Sequence, residues 1–265
     1  MLMSPAGFPT AMGSWSAANW TPAKATGILD WFYGPHALVG SWPNEIVGGP
    51  ISPVQATGAN QPSLSVGING LQCPFFPVAA LGSSAVYDCG AVSPTSGNSY
   101  WVCVVAKATS GLGSNATIYG RWWNNNAFSI GNNATTGAGK CAFFVGNDTA
   151  SCTATTNAAP GTSAFCAMGV WNNSNSPGSP TAVIYLISGG SAVLQTSKST
   201  AGSDYAGSFP NLGTGDHTSI GAGLSGAGGP PTGDVFNGYI GEIFDGTGAP
   251  PLAQAPAYIL KKWNI

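Results

Sequence analysis

The stretch Asp234–Ile265, DVFNGYIGEIFDGTGAPPLAQAPAYILKKWNI, decides the fold. It opens on a strand-like run from Val235 to Phe244. Phe236, Gly238, Ile240, Glu242 and Phe244 share one parity of that run, and Val235, Tyr239 and Ile243 share the other. Side chains alternate across a strand, so bulky apolar residues on both parities predict a central strand covered on both faces. The turn-rich break Gly246–Pro251 follows, then a short segment ending in Lys261-Lys262-Trp263. Two cations there suit the negative end of a short terminal helix. A buried strand closed by one helix is the ending of a β-domain.

Upstream, the same grammar repeats. Short β-branched and aromatic runs are predicted as strands at 71–76, 85–88, 100–106, 117–123, 127–130, 141–145, 165–171, 181–188, 192–197 and 218–222, separated by Gly, Asn, Ser and Pro clusters. Val183–Ile187, Gly189-Gly190 and Ala192–Leu194 spell a hairpin with a glycine turn. Residues 22–33 suit one helical turn before a further strand, and Ile46–Ser65 is punctuated like loop. Helix-length amphipathic segments are almost absent and no fixed period recurs, which excludes propellers and solenoids. The expectation is an all-β, two-sheet antiparallel jelly-roll sandwich with a short C-terminal helix. Residues 1–20, rich in Pro, Gly, Ser and Ala, read as an extended N-terminal arm, leaving 21–265 as the domain. Phe8, Trp15 and Trp20 on that arm either contact a neighbouring subunit or pack on their own domain.

Composition narrows function by exclusion. Of 265 residues only 6% are charged and the formal net charge is −2, whereas soluble proteins carry roughly 25% charged residues. Nothing electrostatic favours nucleic acid or an anionic membrane. No apolar run is long enough for a membrane-spanning helix, and the first residues show no basic-then-apolar leader. The six cysteines contain no C-x-x-C pair, against a zinc knuckle. Cys103 and Cys166 lie in apolar runs as buried thiols, while Cys141/Cys152 and Cys73/Cys89 bracket hairpin-like stretches and are either bridged or free.

Three stretches resemble the concanavalin A-like lectin/glucanase superfamily, in particular laminin-G-like domains of bacterial and phage proteins. Gln61-Pro62-Ser63-Leu64, Ile68-Asn69-Gly70 and Phe75-Phe76 are similar to its early segment. Tyr100–Lys107, then Ala182–Leu186 with its glycine hairpin, are similar to its central strands, although Ser188-Gly189-Gly190 stands where V-N-G is common. Phe236–Ile243 and Ala257–Ile265 resemble its last strand and its closing "YLaxKWGI". The likeness is patchy from about residue 55 onward, and Pro250, Pro251 and Pro256 depart from its charged helix. It implies the jelly roll and leaves function open, because this fold hosts lectins, hydrolases and structural modules.

The nine carboxylates contain no E-x-D-x-E run of the kind this superfamily's glucanases place on one strand. Glu242 and Asp245, three apart, are predicted on opposite faces, so Glu242 is read as structural and no catalytic residue is expected. Asp216-His217 with Ser219 makes a poor relay, since neighbours on a strand point apart, and His217 is expected in an exposed turn. No cofactor is required and no metal ligands are named. Calcium, which some relatives bind, would draw on Asn147-Asp148 and Asp204. The binding-like constellation is Trp122-Trp123-Asn124-Asn125, repeated as Trp171-Asn172, because aromatic faces stack on sugar rings and amides pair with hydroxyls.

These features predict a non-catalytic structural or binding protein of a phage particle, a capsid decoration or a tail or fibre component, with lectin-like adhesion. Its expected partners are other virion proteins, further copies of itself and host glycans, without nucleic acid or membrane insertion. It would be made in the host cytoplasm and reside in the virion. The alternative is a carbohydrate-binding module of a bacterial surface or secreted protein.

Overall fold

The structure is a computed structural model that describes residues 19–77, 84–91, 99–113, 116–121, 127–132, 139–146, 150–172, 181–195, 197–202, 217–224 and 231–265. A 3-10 turn at Pro22–Lys24 precedes strand β1 (Ile28–Tyr33), as expected for residues 22–33. Then come β2 (Ser63–Ile68), β3 (Leu71–Phe76), β4 (Tyr87–Asp88), β5 (Ser99–Ala108), β6 (Ala116–Arg121), β7 (Ala127–Asn132), β8 (Ala142–Gly146) and β9 (Ala150–Thr155). The chain continues through β10 (Ala164–Asn172), β11 (Thr181–Ser188), β12 (Ser191–Gln195), β13 (Ser197–Gly202), β14 (Ser219–Ile220), β15 (Gly223–Leu224), β16 (Pro231–Gly233) and β17 (Gly238–Gly246), and ends in helix α1 (Ala255–Trp263).

Among the described residues, one eight-stranded antiparallel sheet runs β12-β11-β10-β5-β17-β3-β2, with β1 also paired to β17. A seven-stranded antiparallel sheet, β13-β9-β8-β7-β6-β14-β4, packs against it. The fold is the jelly-roll sandwich with its short C-terminal helix. The reason is visible in β5: Tyr100, Val102, Val104 and Ala106 fill the core between the sheets, while Trp101, Cys103 and Val105 fill a second core on the other face. That second core needs a cover, and α1 supplies Tyr258, Ile259 and Trp263 to it. Pro256 sits in the first turn of α1, where its missing N–H costs nothing. Asn264 ends the helix in the left-handed region at φ 52°.

Two expectations are corrected, and one left open is decided. First, the run Val235–Phe244 does not keep one parity. A bulge lies between Ile240 and Glu242 against β5, so Ile240 and Ile243 both face the inner core whereas Glu242 and Phe244 face outward. Gly241 sits at the bulge because a Cβ there would lie 2.7 Å from the Trp263 ring. Second, β9 and β13 arise where no strand was expected. Their residues are small and carry no bulky alternation, and they are strands because β8 and each other pair with them. The cysteine pairs left open are not bridged, and all six cysteines are buried. Cys73 faces the outer core and Cys89 the inner one. Cys152 pairs with Val145, while the backbone of Cys141 bonds to Thr156. Four register steps at about 3.3 Å each put that second pair beyond disulfide reach.

Candidate functional site

Glu242 is the hub of the outer layer. The bulge turns it outward beneath α1, where its side chain is fully buried. Oε1 accepts from the Trp31 indole at 2.6 Å, from the Tyr258 hydroxyl at 2.6 Å and from Lys262 at 3.3 Å, and Oε2 accepts from the Trp263 indole at 2.5 Å. Lys262 also donates to the Tyr258 hydroxyl and sits over the Tyr33 ring at 3.5 Å. Burial pulls the Lys262 ammonium below its ordinary value against the opposing pull of Glu242, and burial with the nearby Glu242 charge raises Tyr258. At the rim, exposed His36 holds Glu45 at 2.7 Å and meets the Tyr33 ring edge-on. A buried carboxylate this well supplied with donors is an anchor for the helix, as its place in the sequence suggested.

Behind β17 lies a second buried carboxylate pair. Asp30 and Asp245 are register partners on β1 and β17 and therefore share a face, which is the inner one. Asp245 Oδ2 accepts from the hydroxyls of Tyr100 at 2.7 Å and Tyr119 at 2.9 Å, tying the two sheets together. Its Oδ1 accepts from the Asp30 amide at 3.2 Å. Asp30 Oδ1 accepts from Asn44 and from the Ile51 amide, and among the described residues Oδ2 has no partner. Burial raises both carboxyls, Asp30 to about 6 and Asp245 well above the carboxylate range with the Asp30 charge adding to it.

His217 is not an exposed turn residue. Its Nδ1 lies 2.6 Å from Asp88 Oδ1 and its side chain is 13% exposed. Ser219 donates to the carbonyls of Ala222 at 2.5 Å and Gly120 at 3.3 Å, so its hydroxyl proton is committed to backbone and the relay is not assembled. Asp216 lies outside the described residues.

The sandwich has one end where β6, β8 and β10 finish and β7, β9 and β11 begin. The Asp245–Tyr119 bond places the Gly246 end of β17 over the Arg121 end of β6. Asn172, Arg121 and Gly146 are therefore gathered at a common edge. Trp171, expected to stack on a sugar, is fully buried in the inner core. It shares the parity of Phe165 and Ala167 on β10, which point between the sheets. Asn172 is partly exposed at the strand end. Burial lowers the Arg121 guanidinium to about 10. Trp122, Trp123, Asn124 and Asn125 lie outside the described residues, as do Phe8, Trp15 and the calcium candidates Asn147, Asp148 and Asp204. Trp20 is described, and it faces its own domain, edge-on to Tyr258 at 5.4 Å and Phe244 at 6.3 Å. Among the described residues no three metal-ligating side chains cluster, and no helix is long and apolar enough to cross a membrane.

The architecture places the chain among two-sheet jelly-roll β-sandwiches. Solved structures share it at low identity. Domain 4 of an extracellular GH43 arabinanase from Geobacillus stearothermophilus, in complex with arabinotriose, superposes at a TM-score of 0.52 and 15% identity, covering 88% of this chain and 98% of that one. A Trypanosoma rangeli sialidase gives 0.54 at 13% identity over 91% of this chain, which spans only 33% of the sialidase. Botulinum neurotoxin type C, whose cell entry depends on two ganglioside molecules, gives 0.50 at 12% identity over 89% of this chain and 51% of that one. No protein-family model and no curated protein sequence matches.

Proposed function

We propose that this chain is a non-catalytic, glycan-binding sandwich carried by a phage particle, as a capsid decoration or a tail or fibre component, and belonging to the concanavalin A-like superfamily. The observation that carries the non-catalytic reading is Glu242. The carboxylate on the last strand is fully buried and accepts from two indoles, a hydroxyl and an ammonium, which ties it to the helix and keeps it out of reach of a glycosidic bond. Asp30 and Asp245 are likewise sealed between the sheets. Recognition then falls to neutral groups, and the strand-end edge at Arg121 and Asn172 leads directly into the sequence Trp122-Trp123-Asn124-Asn125. A sandwich with 6% charged residues suits wet, hydroxyl-rich contacts better than charge pairing.

Glycan-array binding tests the recognition half: binding should fall at least tenfold in Trp122→Ala or Trp123→Ala with the unfolding midpoint unchanged. Binding that survives both substitutions refutes the site. Reducing-sugar release abolished by Glu242→Gln would refute the non-catalytic half. Quantitative mass spectrometry of purified particles should find the chain at fixed stoichiometry. Its absence from particles favours the second reading, a binding module of a secreted or surface protein. The near-complete coverage of the arabinanase domain, a unit of the same size, supports that alternative.

A further inference from the structure

The outer face of the eight-stranded sheet is only partly covered. Alpha1 and Trp20 close over Trp101, Cys103, Phe244 and their neighbours. Toward the other end of the strands a transverse row stays partly exposed: Phe75 on β3, Tyr239 on β17 and Lys107 on β5 are successive register partners, with Ser63 on β2 beyond Phe75. Register partners project from the same face, so this row is one continuous strip. The Phe75 and Tyr239 rings lie 4.8 Å apart at 38°, a shallow tilt in place of the edge-on contacts found around Trp20. Tyr239 lies against the backbone of Gly67, where a Cβ would come within 2.1 Å of the ring. The glycine therefore lets Tyr239 lie low against the sheet edge, beside its Phe75 neighbour.

Lys107 closes the strip. Its ammonium makes one long contact, 3.4 Å to the Gly67 carbonyl, and among the described residues it pairs with no carboxylate. In a chain with seven lysines and arginines, a cation left unneutralised beside two tilted rings is a specific arrangement. The rings accept the apolar face of a pyranose, and the ammonium accepts an anion at its edge. We propose that this strip is a binding site for a carboxylate-bearing sugar residue, a uronic acid, separate from the strand-end edge. Phe75 and Tyr239 stack the ring, Lys107 holds the carboxylate and Ser63 is placed to meet a hydroxyl beyond Phe75.

The probe is trigalacturonate, with its methyl ester as the neutral control, titrated into the full chain by calorimetry at low salt. Trigalacturonate should bind at least tenfold more tightly than the ester. Lys107→Gln and Phe75→Ala should each cost at least tenfold, and Lys107→Arg should retain binding. No detectable binding of trigalacturonate, or binding untouched by Lys107→Gln and Phe75→Ala, overturns the proposal. Binding lost in Trp122→Ala and kept in Lys107→Gln also overturns it while leaving the strand-end glycan site standing. Should Phe75→Ala fail to fold, Lys107→Gln, a change at the tip of a partly exposed side chain, carries the decision.

Discussion

Folding should become less favourable as pH rises from about 4 to about 7, and Asp30→Asn should remove the part of that fall that Asp30 contributes. Burial lifts the Asp30 carboxyl from 3.8 to about 6. A carboxyl raised in the folded state holds a proton that the unfolded chain has released. Its contribution is complete below the unfolded value near 3.8 and is lost as pH climbs through about 6. Roughly two decades at about 1.4 kcal/mol each give a loss of about 3 kcal/mol. Burial raises Asp245 too, so it adds to the fall from the same unfolded value upward. At a urea slope of roughly 3 kcal/mol per molar, the midpoint should drop by roughly 1 M. The asparagine is nearly isosteric. Its carbonyl oxygen can keep the bonds from Asn44 and Ile51, and its amide nitrogen occupies the position of Oδ2, which has no partner among the described residues. Urea unfolding followed by tryptophan fluorescence at half-unit steps from pH 4 to 8 measures this directly. The variant's profile should fall less steeply than the wild type's, the remaining slope belonging to Asp245. A wild-type midpoint that stays level or rises over that window, or a variant with the same slope, refutes the reasoning.

Two further outcomes follow from the packing. Glu242→Ala strands two indole N–H groups, a hydroxyl and an ammonium, and should cost about 3–5 kcal/mol of stability in denaturant unfolding. Glu242→Gln, which keeps an acceptor, should cost less. In thiol titration the native protein should be inert at pH 8 and release six reactive thiols in guanidinium, because every cysteine is buried and burial pushes Cys73 up to about 11 and Cys141 up to about 12. Fewer than six under denaturing, non-reducing conditions would mean a bridge where the structure has none.

How far the sequence could be read depended on how far each signal is local. Alternation is a property of neighbours, so β3 and β11 were legible to the residue, as were β5 and β10 within a residue or two, and the lysines of α1 marked a terminal helix. Trp171 was legible too, had its parity with Phe165 and Ala167 been weighed above the appeal of Trp-Asn beside it. The bulge at Gly241 was not, because nothing in Ile240-Gly241-Glu242 announces that a distant Trp263 will descend on it. His217 likewise found Asp88, 129 positions away, through strand pairing alone.

The amino-acid sequence by itself determined the class: short two-faced strands, a low content of charge, and a helix that closes the chain. Those are consequences of local periodicity and composition, which no folding is needed to evaluate. Only the tertiary structure decided which face each carboxylate takes. It buried Glu242 under α1, paired Asp30 with Asp245, and lined up Phe75, Tyr239 and Lys107. Each of those arrangements joins residues from different strands, and their meeting is set by register, bulge and sheet packing, quantities that exist only once the chain has closed on itself.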